Sequence, residues 1–395
     1  MQLLAAPAIN IDNAFLNGAL GLIAFTLVMT VGVMYATWYE RKIVARMQYR
    51  LGPTRNGPFG LLQPIADTLK LLTKEDLRPR SADVLAFEAA VFAIFIPAFM
   101  VFVVVPFTAD WFISSLSMSL LYILAVSGLS FIGFLLAGWG SDSKYALLGG
   151  MRAAAQLISY EIPLILALVG VVMITASIDV YQMILYQDTV PLIVWQPLGF
   201  IIFLIASIAE VERPPFDIPT GESEVAGGVF IEYSGIRWSL FQLTSYVNMY
   251  AFALLGAFVF LGGWEWPWGT DVGWGLQLLL TVVKMSLFIL FYLWVRASLP
   301  RMRPDQLMSY AWKVLIPFSL YQIFVNGLVI VYDMPDIFFL VFSGAGAVAL
   351  AYSAIFIVRR GEDKPRELTM VPVRATASKP APPPAEAVAA EGAAT

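Results

Sequence analysis

Closely spaced carboxylates are the feature of this chain most suited to chemistry. One loop, 209–240, carries six acidic residues against two arginines, and the acidic residues are Glu210, Glu212, Asp217, Glu222, Glu224 and Glu232. Neighbouring carboxylates raise one another's pKa, so such a cluster can relay protons near neutral pH. Acidic clusters also bind Ca²⁺ or Mg²⁺, but this one lacks the EF-hand spacing and its glycine. The sequence therefore favours proton transfer and predicts no metal site.

Two further ionisable residues lie inside apolar runs. Glu161 follows Arg152 by nine residues, about 13 Å along a helix, and Lys284 precedes Arg296 by 12 residues, about 18 Å. A charge at such a depth in a membrane is costly, so its default interpretation is functional. A structural hydrogen bond from a neutral Glu161 is the alternative. The sequence leaves open whether Lys284 pairs with Glu161.

The sequence contains no cysteine and no histidine. Thiolate and imidazole ligation are thereby excluded, and with them protein-held Fe–S clusters, His-ligated haem and the usual zinc sites. The side chain that normally shuttles protons near neutral pH is absent as well. Any redox centre must therefore belong to a partner protein or to a diffusible substrate.

Composition predicts an all-α integral membrane protein. The chain is 59% hydrophobic and 13% charged, with mean hydropathy +0.77. Runs of about 18 or more apolar residues match the roughly 30 Å hydrocarbon core and are far longer than a barrel strand. About nine transmembrane helices are predicted, near 14–37, 84–106, 117–139, 157–178, 191–209, 241–262, 276–298, 313–333 and 336–358.

The positive charges predict how these runs are oriented. The gaps after the second, fourth, sixth and eighth runs hold none of the 24 Lys and Arg residues, whereas the other gaps and the C-terminal tail all hold some. Positive loops remain cytoplasmic. We therefore expect the N-terminus outside, the C-terminus in the cytoplasm, and a multi-pass membrane protein with no nucleic-acid partner.

Two cytoplasmic loops are long enough to carry structure of their own. The first, 38–83, contains Gly52-Pro53 and Gly57-Pro58, and its Ile65, Leu69 and Leu72 recur at helical spacing. This pattern predicts an amphipathic helix at the membrane surface, although anchoring to lipid headgroups would also explain the basic residues. A second surface helix is expected in the third cytoplasmic loop, 209–240. Residues 1–359 are predicted to form the membrane domain, and 360–395 a disordered Pro/Ala-rich cytoplasmic tail.

Four blocks occur together and in order along the chain. They are Tyr39–Lys42 with 48–53 and 60–67, then 138–145 with Ser159-Tyr160-Glu161, then 210–217 with 222–224 and 232–235, and finally Arg296 with 300–303, 305–308 and 312–313. In these blocks the chain resembles the H-type membrane subunits of the proton-pumping NADH–quinone oxidoreductase, respiratory complex I. The match runs from about Tyr39 to Trp312 and depends on the whole ordered set.

The resemblance implies a membrane protein that shapes a quinone chamber and starts a proton path. Quinone would be the substrate, this chain would hold no cofactor, and the Fe–S clusters and FMN would lie on peripheral partner subunits. Small membrane subunits, antiporter-like subunits and the lipid bilayer would be further partners. The residues assigned to the quinone chamber are Glu40, Arg41, Arg50, Asp67, Arg296, Arg301 and Arg303. The proton path is assigned Glu161, Glu210, Asp217, Glu222, Glu224 and Glu232 by the resemblance. To these we add Asp142, Glu212 and Lys284, which are ionisable residues particular to this sequence or its apolar runs.

The chain departs from the family pattern at four positions. The family usually has Glu where this chain has Thr220 and Ser245, and Asn where it has Asp142 and Glu212. One hypothesis is that the acidic path is re-routed with its carboxylate count kept. The alternative is that Thr220 and Ser245 order bridging water molecules.

Two other functions remain open from the sequence. Membrane-bound hydrogenases and ferredoxin- or F420-linked oxidoreductases use a similar protein, some without quinone, and the first block and the paired arginines favour quinone. An independent proton-coupled carrier belongs to a different class. The absence of visible internal repeats and the large acidic loop argue against it. On every interpretation except the last, this chain is part of an enzyme but holds no complete active site.

Overall fold

A computed structural model describes residues 14–109, 113–265 and 273–362, and within these ranges all regular structure is helical. The α-helices are α1 Ala14–Met47, α2 Gln63–Thr73, α3 Val84–Met100, α4 Ser119–Gly128, α5 Ser130–Gly140, α6 Lys144–Thr175, α7 Val180–Leu185, α8 Leu192–Trp195, α9 Pro197–Glu210, α10 Glu222–Val225, α11 Gly235–Leu261, α12 Trp274–Ser298, α13 Pro304–Tyr310, α14 Ile316–Val331 and α15 Ile337–Glu362.

Each predicted apolar run coincides with a helix or with two consecutive helices. Within the described residues, six helical segments are long and apolar enough to cross a membrane: Val84–Val104, Ser119–Gly140, Lys144–Thr175, Gly235–Leu261, Trp274–Ser298 and Pro304–Val331. The fifth and ninth runs correspond to the shorter apolar helices Pro197–Glu210 and Ile337–Ser353. The count of nine spans and the orientation of the termini therefore stay predictions.

Helix boundaries differ most from the predicted runs where polar residues continue a helix beyond the apolar stretch. The run predicted to begin at 157 belongs to α6, which begins at Lys144 and carries Arg152 and Gln156 in its first half. The run 117–139 is divided by Leu129 into α4 and α5. Hydropathy locates the apolar part of a helix, whereas backbone hydrogen bonding extends as far as the local sequence permits.

The predicted amphipathic helix of the first loop is α2. Its Ile65, Leu69 and Leu72 are all exposed on this chain. Pro64 occupies the first turn, where its missing N–H costs no hydrogen bond. The apolar face of α2 is therefore free to meet lipid or another protein.

The surface helix predicted for the loop 209–240 is wrong. Over this loop the structure has only one α-helical turn, Glu222–Val225, and a 3₁₀ turn, Gly228–Phe230. Proline removes backbone donors, and Pro214, Pro215 and Pro219 lie just before the first turn. Gly227 and Gly228 then take positive φ, which ends helical geometry. The loop folds inward instead, and most of its residues from 211 to 221 are buried.

The helices pack mainly through α6 and α11. Helix α6 contacts α5, α9 and α14, and α11 contacts α3 and α12. The chain divides into two compact units, Met1–Ala351 and Tyr352–Thr395. The tail predicted from 360 overlaps the last residues of α15, and its remainder, 363–395, lies outside the described residues.

Candidate functional site

A buried ion cluster joins the first loop to the acidic loop. Glu40, near the end of α1, is 6% exposed and accepts hydrogen bonds from Arg213 and from Arg296 of α12. Nη1 of Arg213 lies 3.4 and 3.2 Å from the two Glu40 oxygens. The Arg213 guanidinium also stacks on the Tyr246 ring of α11, 4.3 Å from its centroid. One carboxylate thus connects two helices and a loop.

A second ion pair fixes α2 against α1. Nη1 of Arg41 lies 2.6 Å from Oδ2 of Asp67, and the Gln63 side chain donates to Oδ1 of Asp67 at 3.0 Å. Between them the chain turns sharply at Gly60, whose φ is +79° and where a Cβ would overlap the Pro53 carbonyl. Only glycine fits there. Two residues predicted for the quinone chamber, Arg41 and Asp67, are therefore in direct contact.

A cavity of 120 Å³ lies beneath the acidic loop and has room for a few water molecules. Carboxyl, guanidinium and neutral polar side chains contribute to its wall, together with apolar side chains from α3 and α5. The polar residues are Glu210, Glu212, Asp217, Arg213, Arg296, Thr220, Gln242, Thr244, Ser245 and Asn248, with Ser130 at the start of α5. Residues assigned separately to the two predicted sites thus share one cavity.

The carboxyl groups form a series that leads from the cavity into α6. Glu161 and Glu212 are both close enough to Glu210 for their charges to act on it. Glu161 lies against Gly128, the last residue of α4, where a Cβ would collide with Oε1 of Glu161. At the other end of the series, the Thr220 hydroxyl donates to Asp217. The order is therefore Glu161, Glu210, Glu212 and Asp217.

The surroundings of Glu212 strongly disfavour its ionisation. Burial raises its pKa well above the ordinary value, and the neighbouring Asp217 raises that pKa further. Its Oε1 and the Oε2 of Glu210 are buried without a hydrogen-bond partner on the described residues. A neutral carboxyl can both donate and accept a hydrogen bond, as a proton relay requires. The described residues contain no cluster suited to hold a metal ion.

Arg301 holds the acidic loop from outside. Its Nη2 donates to the Ile218 carbonyl at 3.3 Å, and its guanidinium lies directly over Gly221, where a Cβ would collide with it. The backbone N–H of Met302 donates to the Pro215 carbonyl at 3.0 Å. The segment after α12 therefore covers the loop. Arg301, which is predicted for the quinone chamber, therefore contacts the acidic loop, which is predicted for the proton path.

Several predicted residues lie apart from the cavity. Arg50, Arg303 and Asp142 are exposed, and Arg50 bonds only to Gln48 among the described contacts. Glu224 pairs with Arg152 at 2.9 Å. Glu232 is partly exposed, and the side chain of Glu222 is outside the described part of the structure. The geometry brings together the central members of each predicted set and leaves these peripheral ones apart.

Lys284 has a different setting from the acidic series. Its Nζ donates to the carbonyls of Leu261 and Gly263, each at 2.6 Å, at the C-terminal end of α11. Ser245, on the cavity wall, is 16 residues earlier than Leu261 on the same helix, about 24 Å away. A cation at a helix C-terminus is favourable because the last carbonyls are unsatisfied. The arrangement supports a structural capping role.

Four residues join the site or its surroundings without being predicted for it. Arg213 could have been found from the sequence, because a single arginine among the acidic residues of this loop indicates an ion pair. Nothing in the sequence around Tyr246 or Gly128 indicates that these residues belong to the site, because only the packing of helices brings them there. Glu88 lies inside an apolar run as Glu161 does, and it pairs with Arg237 through an Nε–Oε2 contact of 3.1 Å.

Replacing Lys284 tests the capping role. Lys284→Met removes both charge-assisted hydrogen bonds and should lower the free energy of unfolding by about 2 kcal/mol or more. Lys284→Gln can still donate to a carbonyl, so its loss should be smaller. Thermal unfolding of the purified protein measures both. Equal stability of the two variants, with lost proton transfer in each, would instead support the proton-path assignment.

Replacing Glu212 tests its protonation. An unfolded Glu ionises above about pH 4.3, whereas the folded Glu212 retains its proton to higher pH. The folded state then binds more protons, so stability falls as pH rises through that window. Glu212→Gln removes this loss, and its melting temperature should exceed that of the parent by a margin that grows with pH from about 4. A margin independent of pH would contradict the buried, neutral carboxyl.

Comparison with known proteins assigns the chain to a family. The family model described as NADH dehydrogenase matches residues 20–327. Proteins named as the H subunit of NADH-quinone oxidoreductase are similar in Bacillus cytotoxicus (46% identity over 78% of this chain and 93% of the relative) and in Brevibacillus brevis (44%, over 76% and 89%). The one from Dehalococcoides mccartyi is 43% identical over 84% of this chain and 91% of the relative. This chain therefore belongs to the NADH dehydrogenase family of oxidoreductase subunits.

Proposed function

We propose that this chain is the H subunit of a proton-translocating NADH–quinone oxidoreductase in a bacterial cell membrane. It lines the chamber in which quinone is reduced and passes the effect of that reduction to a proton path. Its loops 38–83 and 209–240 face the cytoplasm. The electrons reach quinone from Fe–S clusters held by partner subunits, because the sequence offers no thiolate or imidazole to ligate such a cluster. FMN is likewise assigned to the partners.

The observation that carries the proposal is the meeting of two residue sets at Arg213. Glu40, from the block associated with quinone, pairs with Arg213, which lines the same cavity as Glu210, Glu212 and Asp217. Reduction of a quinone adds negative charge, and nearby cations offset it. A charge change beside Arg296 therefore acts on the acidic cavity directly, since Arg296 lines it, and also through Glu40 and Arg213. The groups that this electrostatic coupling requires are all present in this chain.

An exposed apolar surface on the first loop supports docking of a soluble partner protein. Tyr49 and Leu51 are 101% and 87% exposed, and Phe59 is 77% exposed, beside the cations Arg50 and Arg55. Tyr and Arg are enriched among the residues that dominate interface energies. The backbone of the loop is fixed by its tight glycine turn and by a 3.2 Å hydrogen bond from the Trp38 indole to the Phe59 carbonyl. A rigid aromatic patch suits a permanent partner.

The carboxyl series supplies the first steps of the proton path. Glu212 lines the same cavity as Thr220 and Ser245, the two positions where the family usually has Glu. Its carboxyl therefore stands in for an acid group missing from that wall, while the two hydroxyls can hold water between carboxyls. Asp142 is exposed and outside this cavity. The re-routed path that we propose uses Glu212 and not Asp142.

The names of the relatives favour this function over a hydrogenase-type or carrier function. The similar proteins from Bacillus cytotoxicus and Dehalococcoides mccartyi are named as NADH-quinone oxidoreductase subunits. Antiporter-like and small membrane subunits are the expected neighbours within the bilayer.

Moving the Glu161 carboxyl without removing it tests the proton path. Gly128→Ala places a Cβ where Oε1 of Glu161 now lies, so it should reduce proton translocation per NADH about tenfold or more, as Glu161→Gln should. Gly32→Ala is the matched control, because a Cβ there meets no atom within 4 Å. Translocation is measured in inverted membrane vesicles with equal amounts of assembled complex. Normal translocation in both Glu161→Gln and Gly128→Ala would exclude Glu161 from the path.

Truncating the exposed aromatic patch tests the docking surface. Tyr49→Ala and Leu51→Ala should each weaken attachment of the peripheral subunits by about 2 kcal/mol, roughly thirtyfold. Release of those subunits from salt-washed membranes measures the effect. Phe324→Ala is the control, because Phe324 is 65% exposed but lies in the apolar helix α14. Unchanged attachment in both loop variants would contradict the proposed docking surface.

A further inference from the structure

The Arg213 guanidinium leaves most of its hydrogen-bonding capacity unused. Nη1 is bonded to Glu40 and the guanidinium also interacts with the Tyr246 side chain, while Nε and Nη2 are buried without a hydrogen-bond partner of good geometry on the described residues. Its contacts with Glu40, at 3.4 and 3.2 Å, are longer than the roughly 2.7–2.9 Å typical of a charge-assisted hydrogen bond. Leaving buried donors unmade is costly. The observed pairing is therefore one of the weaker arrangements open to this side chain.

Acceptors that match those donors line the same cavity. Oε2 of Glu210 and Oε1 of Glu212 are buried and also lack a partner on the described residues, and Asp217 is close enough for its charge to act on Arg213. Unused donors and unused acceptors thus border the same 120 Å³ of space. No protein group in the described part of the chain joins them.

Glu40 does not depend on Arg213 alone. Arg296 also donates to Glu40, so the carboxylate would keep a cation if Arg213 turned away. The cavity wall has three carboxyls, and both of its arginines pair with Glu40, so a turn of Arg213 away from Glu40 brings its guanidinium closer to those carboxyls. The ionisable groups that face Arg213 are Glu40 from α1, Arg296 from α12, Tyr246 from α11, Glu210 from α9, and Glu212 and Asp217 from its own loop.

We propose that Arg213 is the exchangeable cation of this junction. Its guanidinium pairs with Glu40 while the cavity carboxyls are protonated, and it turns over the Tyr246 ring to pair with Glu212 and Asp217 when they ionise. The ring attracts the cation in both positions, since a cation–π contact requires only that the cation lie over the ring face within about 6 Å. This inference rests on the proposed function and deepens it. It names Arg213 as a positioning residue that reports the protonation of the acidic cavity to the quinone block.

A single introduced cysteine can report where the guanidinium lies. The parent sequence has no cysteine, so Ser245→Cys provides the only thiol of this chain, on the cavity wall. The rate of its modification by a small neutral methanethiosulfonate is measured in native membranes without NADH or added quinone. Modification of this chain is then quantified by mass spectrometry, with the assembled complex checked on native gels.

Removing the Glu40 charge should turn the Arg213 guanidinium toward the cavity carboxyls. In the Ser245→Cys background, Glu40→Gln should speed modification several-fold, because a guanidinium beside the thiol lowers its pKa and so raises the fraction of reactive thiolate. Adding Glu212→Gln should return much of the rate to the parent value by removing a cavity partner. Asp67→Asn is the matched control, since it also deprives an arginine of its carboxylate but outside the cavity. It should leave the rate unchanged.

The experiment distinguishes exchange from a fixed ion pair. An unchanged or slower rate in Glu40→Gln, or equal acceleration in Asp67→Asn, would overturn the proposal. If Glu40→Gln fails to assemble, Glu40→Asp weakens the same pair by withdrawing the carboxylate and should speed modification in the same direction. The readout requires neither quinone reduction nor proton transfer. Failure of the proposed function would appear separately, as normal proton translocation in Glu161→Gln.

Discussion

A buried carboxylate with two arginine partners is the constraint on which the rest of this site depends. Ionised groups are costly to remove from water, and removing one partner of a buried pair costs about 3–5 kcal/mol because a charge is left uncompensated. Glu40 therefore holds Arg213 and Arg296 near it, and with them the acidic loop and the end of α12. This pairing offsets the buried guanidinium of Arg213 and so stabilises the inward fold of the loop.

The backbone of the acidic loop explains its side-chain chemistry. Glu212 has φ 55° and Asp142 has φ 49°, both in the left-handed region that few residues other than glycine adopt. Asn is among the few that visit this region, which gives a conformational reason for the Asn that the resemblance leads us to expect at both positions. The two residues share this backbone conformation but differ in their surroundings, because Glu212 lines the cavity while Asp142 is exposed. A shared substitution pattern therefore need not mean a shared role.

The parts of this molecule that depend on local composition could be predicted from the sequence. Apolar runs located the helices, and the spacing of Ile65, Leu69 and Leu72 located α2, because both signals lie in neighbouring residues. Which residues meet across the fold was not available in this way. Arg213 lies 173 positions from Glu40 in the chain, and Gly128 meets Glu161 only because two helices pack together. The inward fold of the acidic loop also depends on distant partners.

Helix α11 is restrained at both ends. Near its start, Arg237 pairs with Glu88 and Asp76, and at its finish the ammonium group of Lys284 holds the last carbonyls. Its 27 residues, about 40 Å of helix, are therefore held in place at both ends. Tyr246 and Ser245 lie on this helix. Any displacement within the site must therefore occur in the acidic loop that faces it. A change in the acidic cavity therefore displaces the loop and leaves the helix in place.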